Sequence, residues 1–186
     1  MAGDSVTQMD DVDAINAALL ALRVATGAMF FAHGWVHLRR VREGPGVANW
    51  FESLGMRNGP LNAWMVTLVE LGAGPMLVLG LLNPFAAGAV TGVAVVAGIT
   101  NHRKAGFFAY NRPVEGWEYV MILTVLGVAL GALGPGKWSL DHALDIADDL
   151  SGSTGLAIAA AAGIGGGLLQ LLVFWRPPKA KEGAAS

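Results

Sequence analysis

The chain has 186 residues, of which 54% are hydrophobic and only 14% are charged. Soluble domains carry roughly 25% charged residues, so this composition excludes an ordinary soluble domain and indicates an integral membrane protein. The formal net charge is -2 and the chain contains no cysteine. The missing sulfur excludes thiolate catalysis, disulfide exchange, iron–sulfur clusters and covalently attached c-type haem.

Five apolar segments are predicted to cross the membrane as helices, because a helix needs ~17 to 25 residues to span the hydrocarbon core. In chain order they cover residues 15–38, 61–82, 85–100, 117–133 and 155–175. The alternating pattern of a membrane barrel is absent, so the predicted fold is all-α: a polytopic four-helix bundle plus a fifth transmembrane helix. The predicted parts are an acidic tail (1–14), the bundle (15–138), an acidic connection (139–154), the fifth helix (155–175) and a basic tail (176–186).

Charged residues between these segments predict the orientation. Ten of the 12 Lys and Arg residues lie in the first connection, the third connection or the C-terminal tail. Cytoplasmic segments are enriched in positive charge, so the N-terminus is predicted outside and the C-terminus inside. The acidic tail and the acidic connection are then both exoplasmic.

Two connections are predicted to contain short helices. In the first connection Val47, Trp50, Phe51 and Leu54 follow helical spacing, which favours a helix lying on the cytoplasmic face of the membrane. In the fourth connection Ser139 is expected to cap a short helix. The carboxylates of this connection, Asp141, Asp145 and Asp148, are interpreted as a solvated acidic face.

Small residues recur at a spacing of four in the later predicted spans, which allows close approach of helix backbones. The pairs in spans three and four, Gly88 with Gly92 and Gly127 with Gly131, are expected to pack inside the bundle. In span five the row Ala159, Gly163 and Gly167 forms a docking surface for a partner helix. The sequence leaves open whether that partner belongs to the same bundle or to another subunit.

Polar residues in the first two spans are the candidates for function. At ~100° per residue Arg23, His33 and His37 fall within ~80° of one helix face. A charged residue in hydrocarbon costs at least ~2.5 kcal/mol, so this face is expected to turn toward the bundle interior. Glu70, near the middle of span two, lies at a predicted depth between Arg23 and His33, and either residue could be its partner.

The predicted cytoplasmic ends of the spans carry further polar side chains. His37, Asn101, His102 and Glu118 are expected to form a polar vestibule beneath Glu70. Four interpretations stay open: a structural pair that sets helix register, which we favour, a site for a polar-headed lipophilic ligand such as a quinone, bis-histidine haem, and a transport pathway. Haem through His33 and His102 is disfavoured because nothing else specifies iron. No metal site is predicted.

Several of these stretches resemble the DoxX family of small membrane proteins over about residues 15–145. The stretches are LRVATGAMFFAHGWVHL, VELGAGPMLVLGLLNPFAAG, NHRKAGFF, EGWEY and GPGKWSLDHAL. The positions that match the family pattern are Arg23, His33, Gly34, Glu70, Glu118 and Tyr119. The chain differs by its fifth span and acidic connection. It also lacks the cysteines of related disulfide-handling proteins.

The resemblance implies a four-helix bundle in a prokaryotic plasma membrane and an association with membrane redox systems, including quinone-linked ones. We therefore expect an accessory subunit that anchors or stabilises a respiratory or oxidoreductase complex, and it is uncertain from sequence whether the protein is an enzyme. The alternatives are a quinone-reactive redox component and a small-molecule carrier. The expected partners are redox subunits and the lipid bilayer, a homo-oligomer is left open, and nucleic acid is not expected because topology explains the basic residues.

Overall fold

The structure is a computed structural model that describes residues 10–177, and this part of the chain contains seven helices. They are α1 (Asp11–Glu43), α2 (Gly46–Ser53), α3 (Gly59–Leu79), α4 (Asn83–Ala97), α5 (Glu118–Leu133), α6 (Leu140–Ala143) and α7 (Gly152–Phe174). Helix α4 continues through a π turn at Gly98–His102 and a 3-10 turn at Arg103–Ala105. The prediction of an all-α polytopic membrane protein is confirmed.

Four of the helices are long and apolar enough to cross a membrane. They are α1 with 33 residues, α3 with 21, α4 with its continuation with 23, and α7 with 23. The remaining predicted span, α5, has only 16 residues, which at ~1.5 Å per residue covers about 24 Å of a hydrocarbon core about 30 Å thick. It is short because Gly134, with a φ of 78°, ends the helix before Pro135.

The two short helices form where the sequence predicts them. Helix α2 buries Val47 and Phe51 on its inner side, as the helical spacing of these residues indicates. Ser139 caps α6, since its hydroxyl oxygen accepts a hydrogen bond from the His142 backbone N–H at 3.2 Å. Both elements therefore follow from local sequence.

The helices pack in a continuous series. Helix α1 lies along α3, α3 packs on α4, and α4 packs on both α5 and α7, which also contact each other. Buried apolar side chains form two clusters, one of which includes Phe30, Leu77 and Leu130, and the other Phe51 and Leu171. Each cluster joins side chains from the first half of the chain to side chains from the second half.

The row of small residues on α7 packs against its own bundle. A side chain at Gly163 would place its Cβ 2.5 Å from Thr91 Cβ, and one at Gly167 would place it 3.1 Å from the Gly92 carbonyl oxygen. Ala159 is fully buried. The structure therefore resolves the alternative that the sequence left open, because the partner helix of this row is α4 of the same chain.

The C-terminal end of α7 is also bonded to the connection between α2 and α3. Trp175 Nε1–H donates to the Leu54 carbonyl at 3.0 Å, and the Arg176 N–H donates to the Gly55 carbonyl at 2.8 Å. Inside the bundle Gln170 Nε2 donates to Asn62 Oδ1 at 2.9 Å. The fifth transmembrane helix is thus an integral part of the bundle.

Asp141 corrects the prediction of a uniformly solvated acidic face. Its side chain is fully buried. Its two carboxylate oxygens accept hydrogen bonds from Leu82 N–H at 2.7 Å and Asn83 N–H at 2.9 Å. The first N–H groups of a helix have no partner within the helix, so Asp141 caps α4 from a distant part of the chain. Asp145 and Asp148 are exposed, as predicted.

Candidate functional site

Helices α1 and α3 approach each other closely because glycines face the partner backbone. A Cβ at Gly27 would lie 2.5 Å from the Gly74 carbonyl oxygen, and a Cβ at Gly34 would lie 2.8 Å from the Leu71 backbone nitrogen. The same position would be 3.0 Å from Glu70 Cβ. The absence of a side chain at Gly34 therefore brings Glu70 directly against α1.

Glu70 lies next to His37, not next to Arg23 or His33 as predicted. His37 Nδ1 is 3.0 Å from Glu70 Oε2, with side chains 21% and 6% exposed. The contact is close, although the ring N–H does not point along it well enough for a directed hydrogen bond. Helical side chains lean toward the helix N-terminus, so His37 reaches back to the level of Gly34, where Glu70 packs. The prediction from depth alone ignored this direction.

Arg23 binds backbone carbonyls at the opposite end of α3. It is fully buried, and its guanidinium donates to the carbonyls of Leu77 at 3.0 Å, Val78 at 3.3 Å and Trp138 at 2.7 Å. The last carbonyls of a helix have no partner within the helix and carry partial negative charge, so they replace the carboxylate that the sequence suggested. Arg23 therefore holds α1 to the end of α3 and to the connection after α5, and it lies outside the site.

A second polar cluster connects the π turn after α4 to the start of α5. His102 Nδ1 lies 2.7 Å from the Glu115 carbonyl oxygen, and His102 Nε2 lies 2.7 Å from the Tyr119 hydroxyl and 3.2 Å from Asn101 Nδ2. A carbonyl only accepts, so the partner assigns the proton to Nδ1, and neutral Nε2 then accepts from Tyr119. Both ring nitrogens of His102 therefore have partners within the protein.

The predicted vestibule is only partly correct. His37 joins Glu70, and Asn101 joins His102, but these are two separate clusters. Glu118 belongs to neither, because its Oε1 accepts a hydrogen bond from the Ala109 N–H at 2.7 Å. This bond shapes the third connection, whose fold the sequence does not reveal.

A cavity of about 610 Å³ lies between the helices and has a mostly apolar lining. Polar side chains reach it from five helical segments, and they are His33, His37, Glu70, Thr100, Tyr119 and Gln170. The cavity thus brings together the His37–Glu70 pair and Tyr119, whose hydroxyl is hydrogen-bonded to His102. Mostly apolar cavities with few polar groups are typical binding sites for small molecules.

The cavity reaches the surface of the bundle between α1 and α5. Within residues 10–177, α1 and α5 make little direct contact along their lengths. Met29 on α1 and Tyr119 on α5 line the cavity, yet are 36% and 38% exposed. A smaller surface groove shares both residues and continues outward past Glu118. The cavity is therefore open at the surface of the protein between α1 and α5.

Sequence reasoning missed two π turns beside the cavity. The turn at Gly98–His102 includes the lining residue Thr100, and the turn at Ala161–Gly165 includes the lining residue Ala162. Single π turns inside helices frequently occur at functional sites. The glycines in both segments were a signal of local irregularity, but they do not distinguish a π turn from close packing.

Together these features define a multi-pass, all-α membrane protein with a mostly apolar lateral cavity that contains a few polar side chains. A family model described as DoxX matches residues 18–103 of the chain. The resemblance is thereby confirmed for this range, which contains most of α1, all of α2 to α4, His37 and Glu70. The later stretches, including Tyr119, lie outside the matched range. No curated protein and no solved structure matches the chain.

Proposed function

We propose that this protein binds a lipophilic molecule with a hydrogen-bonding head group, of the quinone class, in the lateral cavity. The observation that carries the proposal is the His37–Glu70 pair on the wall of a largely apolar cavity of about 610 Å³. Isoprenoid quinones dissolve in the bilayer and have carbonyl or hydroxyl oxygens on one flat ring. The apolar lining suits their ring and tail, and His37, Glu70 and Tyr119 suit their oxygens.

The chemistry available at the pair supports this ligand class. A carboxylate in a low-dielectric site is costly unless it has a partner, and His37, whose Nδ1 lies 3.0 Å from Glu70 Oε2, is the partner of Glu70. Imidazole and carboxylate are both groups that can give and take a proton, and both would lie next to a quinone oxygen in this cavity.

The test is a binding measurement on Glu70→Gln, which keeps the shape of the side chain and removes its charge. With the purified protein in lipid nanodiscs and decylubiquinone as the probe, we expect the affinity to fall about tenfold, as for the loss of one charged hydrogen-bond partner. The matched control is Glu43→Gln at the exposed end of α1, which should bind as the wild type does. Unchanged affinity of Glu70→Gln would contradict the proposal. Loss of assembly instead would make the pair structural.

A second proposed function rests on the DoxX resemblance. As an accessory subunit of a respiratory or oxidoreductase complex in a prokaryotic plasma membrane, the protein would anchor or stabilise larger redox subunits. The feature that favours such a contact is the exposed acidic surface of Asp145, Asp148 and Asp149, which would attract a basic partner. The row on α7 is covered by the bundle and cannot serve this purpose.

Native mass spectrometry after gentle extraction from the source membrane tests the subunit role. Recovery with larger redox subunits is the expected result, and recovery alone would contradict it. A bound quinone identified in the same sample would support the first proposal independently. Uptake of a solute by vesicles that contain only this protein, without an electron donor, would instead identify a carrier.

A further inference from the structure

The Tyr119 hydroxyl has a restricted hydrogen-bonding direction. His102 Nδ1 faces the Glu115 carbonyl oxygen at 2.7 Å and must donate to it. Neutral His102 Nε2 is then an acceptor, and the Tyr119 O–H at 2.7 Å donates its only proton there. The Tyr119 oxygen retains its lone pairs, so toward a molecule in the cavity it can only accept a hydrogen bond.

The burial of His102 makes this arrangement persistent. His102 is 6% exposed, and its ring packs edge-on against the Tyr119 ring, with centroids 5.0 Å apart. If the Tyr119 proton turned into the cavity, His102 Nε2 would keep only Asn101 Nδ2, at 3.2 Å. The loss of a short hydrogen bond in a nearly buried cluster opposes that rotation.

His37 supplies a second polar contact in the same cavity. Its Nδ1 lies 3.0 Å from Glu70 Oε2 without a directed hydrogen bond, so this contact does not fix which ring nitrogen carries the hydrogen. His37 can therefore donate to a carbonyl or accept from a hydroxyl, whereas the Tyr119 oxygen can only accept.

From the fixed direction of the Tyr119 hydroxyl we infer that the cavity selects the reduced, hydroxyl-bearing form of its ligand over the oxidised, carbonyl-bearing form. The inference rests on the proposed binding of a quinone-class molecule. A quinol hydroxyl can donate to the Tyr119 oxygen while another quinol oxygen accepts from His37. A quinone has only acceptors, so its carbonyl would face the lone pairs of Tyr119 without a hydrogen bond. Tyr119 thereby determines which redox form is retained.

The test compares decylubiquinone with its hydroquinone, both bound to the protein in nanodiscs under anaerobic conditions. The chain has no cysteine, so the reductant that keeps the hydroquinone reduced has no thiol or disulfide to alter. We expect the wild type to bind the hydroquinone about tenfold more tightly than the quinone, the effect of one hydrogen bond gained and one repulsive contact avoided. For a two-electron couple, a tenfold preference raises the midpoint potential of the bound molecule by about 30 mV.

Two variants separate this inference from a general loss of binding. Tyr119→Phe should bind both forms within about twofold of each other, because the hydroquinone loses a hydrogen bond and the quinone loses a repulsive contact. His102→Leu removes the acceptor of the Tyr119 proton, so the freed O–H should donate to a carbonyl and shift the preference toward the quinone. The matched control is Tyr110→Phe, in the connection between His102 and Tyr119. Tyr110 is 72% exposed, so this variant should keep the wild-type preference.

The outcomes distinguish the proposed binding of a quinone-class molecule from the proposed selection of its reduced form. Equal or tighter binding of the quinone by the wild type would overturn the selection of the reduced form and leave the binding proposal in place. A preference that persists in Tyr119→Phe would also overturn it, since another group would then be responsible. If neither form bound the wild type, the proposed function would fail and the inference with it.

Discussion

At the scale of single residues, buried polar side chains in this protein either bind the ends of helices or line the cavity. Arg23 and Asp141 are fully buried and bind backbone groups at the turn between α3 and α4, and Arg23 also binds the Trp138 carbonyl. Arg23 neutralises the carbonyl end of one helix and Asp141 the N–H end of the next. His37 and Glu70 instead face each other at the cavity wall. Buried ionisable residues therefore have different roles at the two ends of α3.

Asp141→Ala should lower the stability of the protein. The Leu82 and Asn83 N–H groups would lose their acceptors at 2.7 and 2.9 Å, and a buried donor without a partner costs about 1–3 kcal/mol. We expect a lower midpoint of thermal unfolding in detergent. Asp149→Ala, which changes an exposed carboxylate of the same connection, should leave the midpoint unchanged. Equal effects of the two variants would mean that Asp141 does not cap α4.

At the scale of helices, small residues determine which backbones come into contact. Because Gly27 and Gly34 have no side chain, α3 packs closely against α1. Gly163 likewise allows α7 to pack closely against Thr91 of α4. Without hydrophobic driving force between helices in lipid, such close packing contributes much of the association energy. The cavity persists beside these contacts because α1 and α5 do not approach each other in the same way.

Gly163→Ala should loosen α7 from the bundle. The new methyl group would lie 2.5 Å from Thr91 Cβ and 2.7 Å from the Gly88 carbonyl oxygen, and overpacking of this kind costs about 1–3 kcal/mol. The matched control is Gly165→Ala in the same π turn, where a Cβ meets nothing within 4 Å. Thermal unfolding should show a lower midpoint for Gly163→Ala only. A drop for both variants would point to the backbone of the π turn as the cause.

At the scale of the whole molecule, the orientation in the membrane stays a prediction from charge. Two exposed positions allow a direct test, because the chain has no cysteine. Asp149→Cys should react with an impermeant thiol reagent on intact cells, whereas Tyr110→Cys should react only after lysis. The reverse pattern would place the N-terminus in the cytoplasm. It would also place the His102 and Tyr119 cluster on the exoplasmic side.

Much of the fold could be predicted because apolar length is a local property of the chain. Helices α1, α3, α4 and α7 appear where uninterrupted apolar residues occur, and α2 and α6 follow from amphipathic spacing and from the cap at Ser139. The candidate site was only partly predictable. His37, Glu70, His102 and Tyr119 could be named because polar residues in membrane segments are costly and therefore conspicuous.

The sequence by itself determined the class of protein, the positions of the apolar helices and the identity of the polar residues, because each depends on neighbouring residues along the chain. Only the tertiary structure decided the pairs: Glu70 with His37, Arg23 with carbonyls, Asp141 with the start of α4, and α7 with its own bundle. Pairing depends on the register between helices and on the direction in which side chains lean. Close glycine contacts set that register, and they become visible only when two helices are seen together.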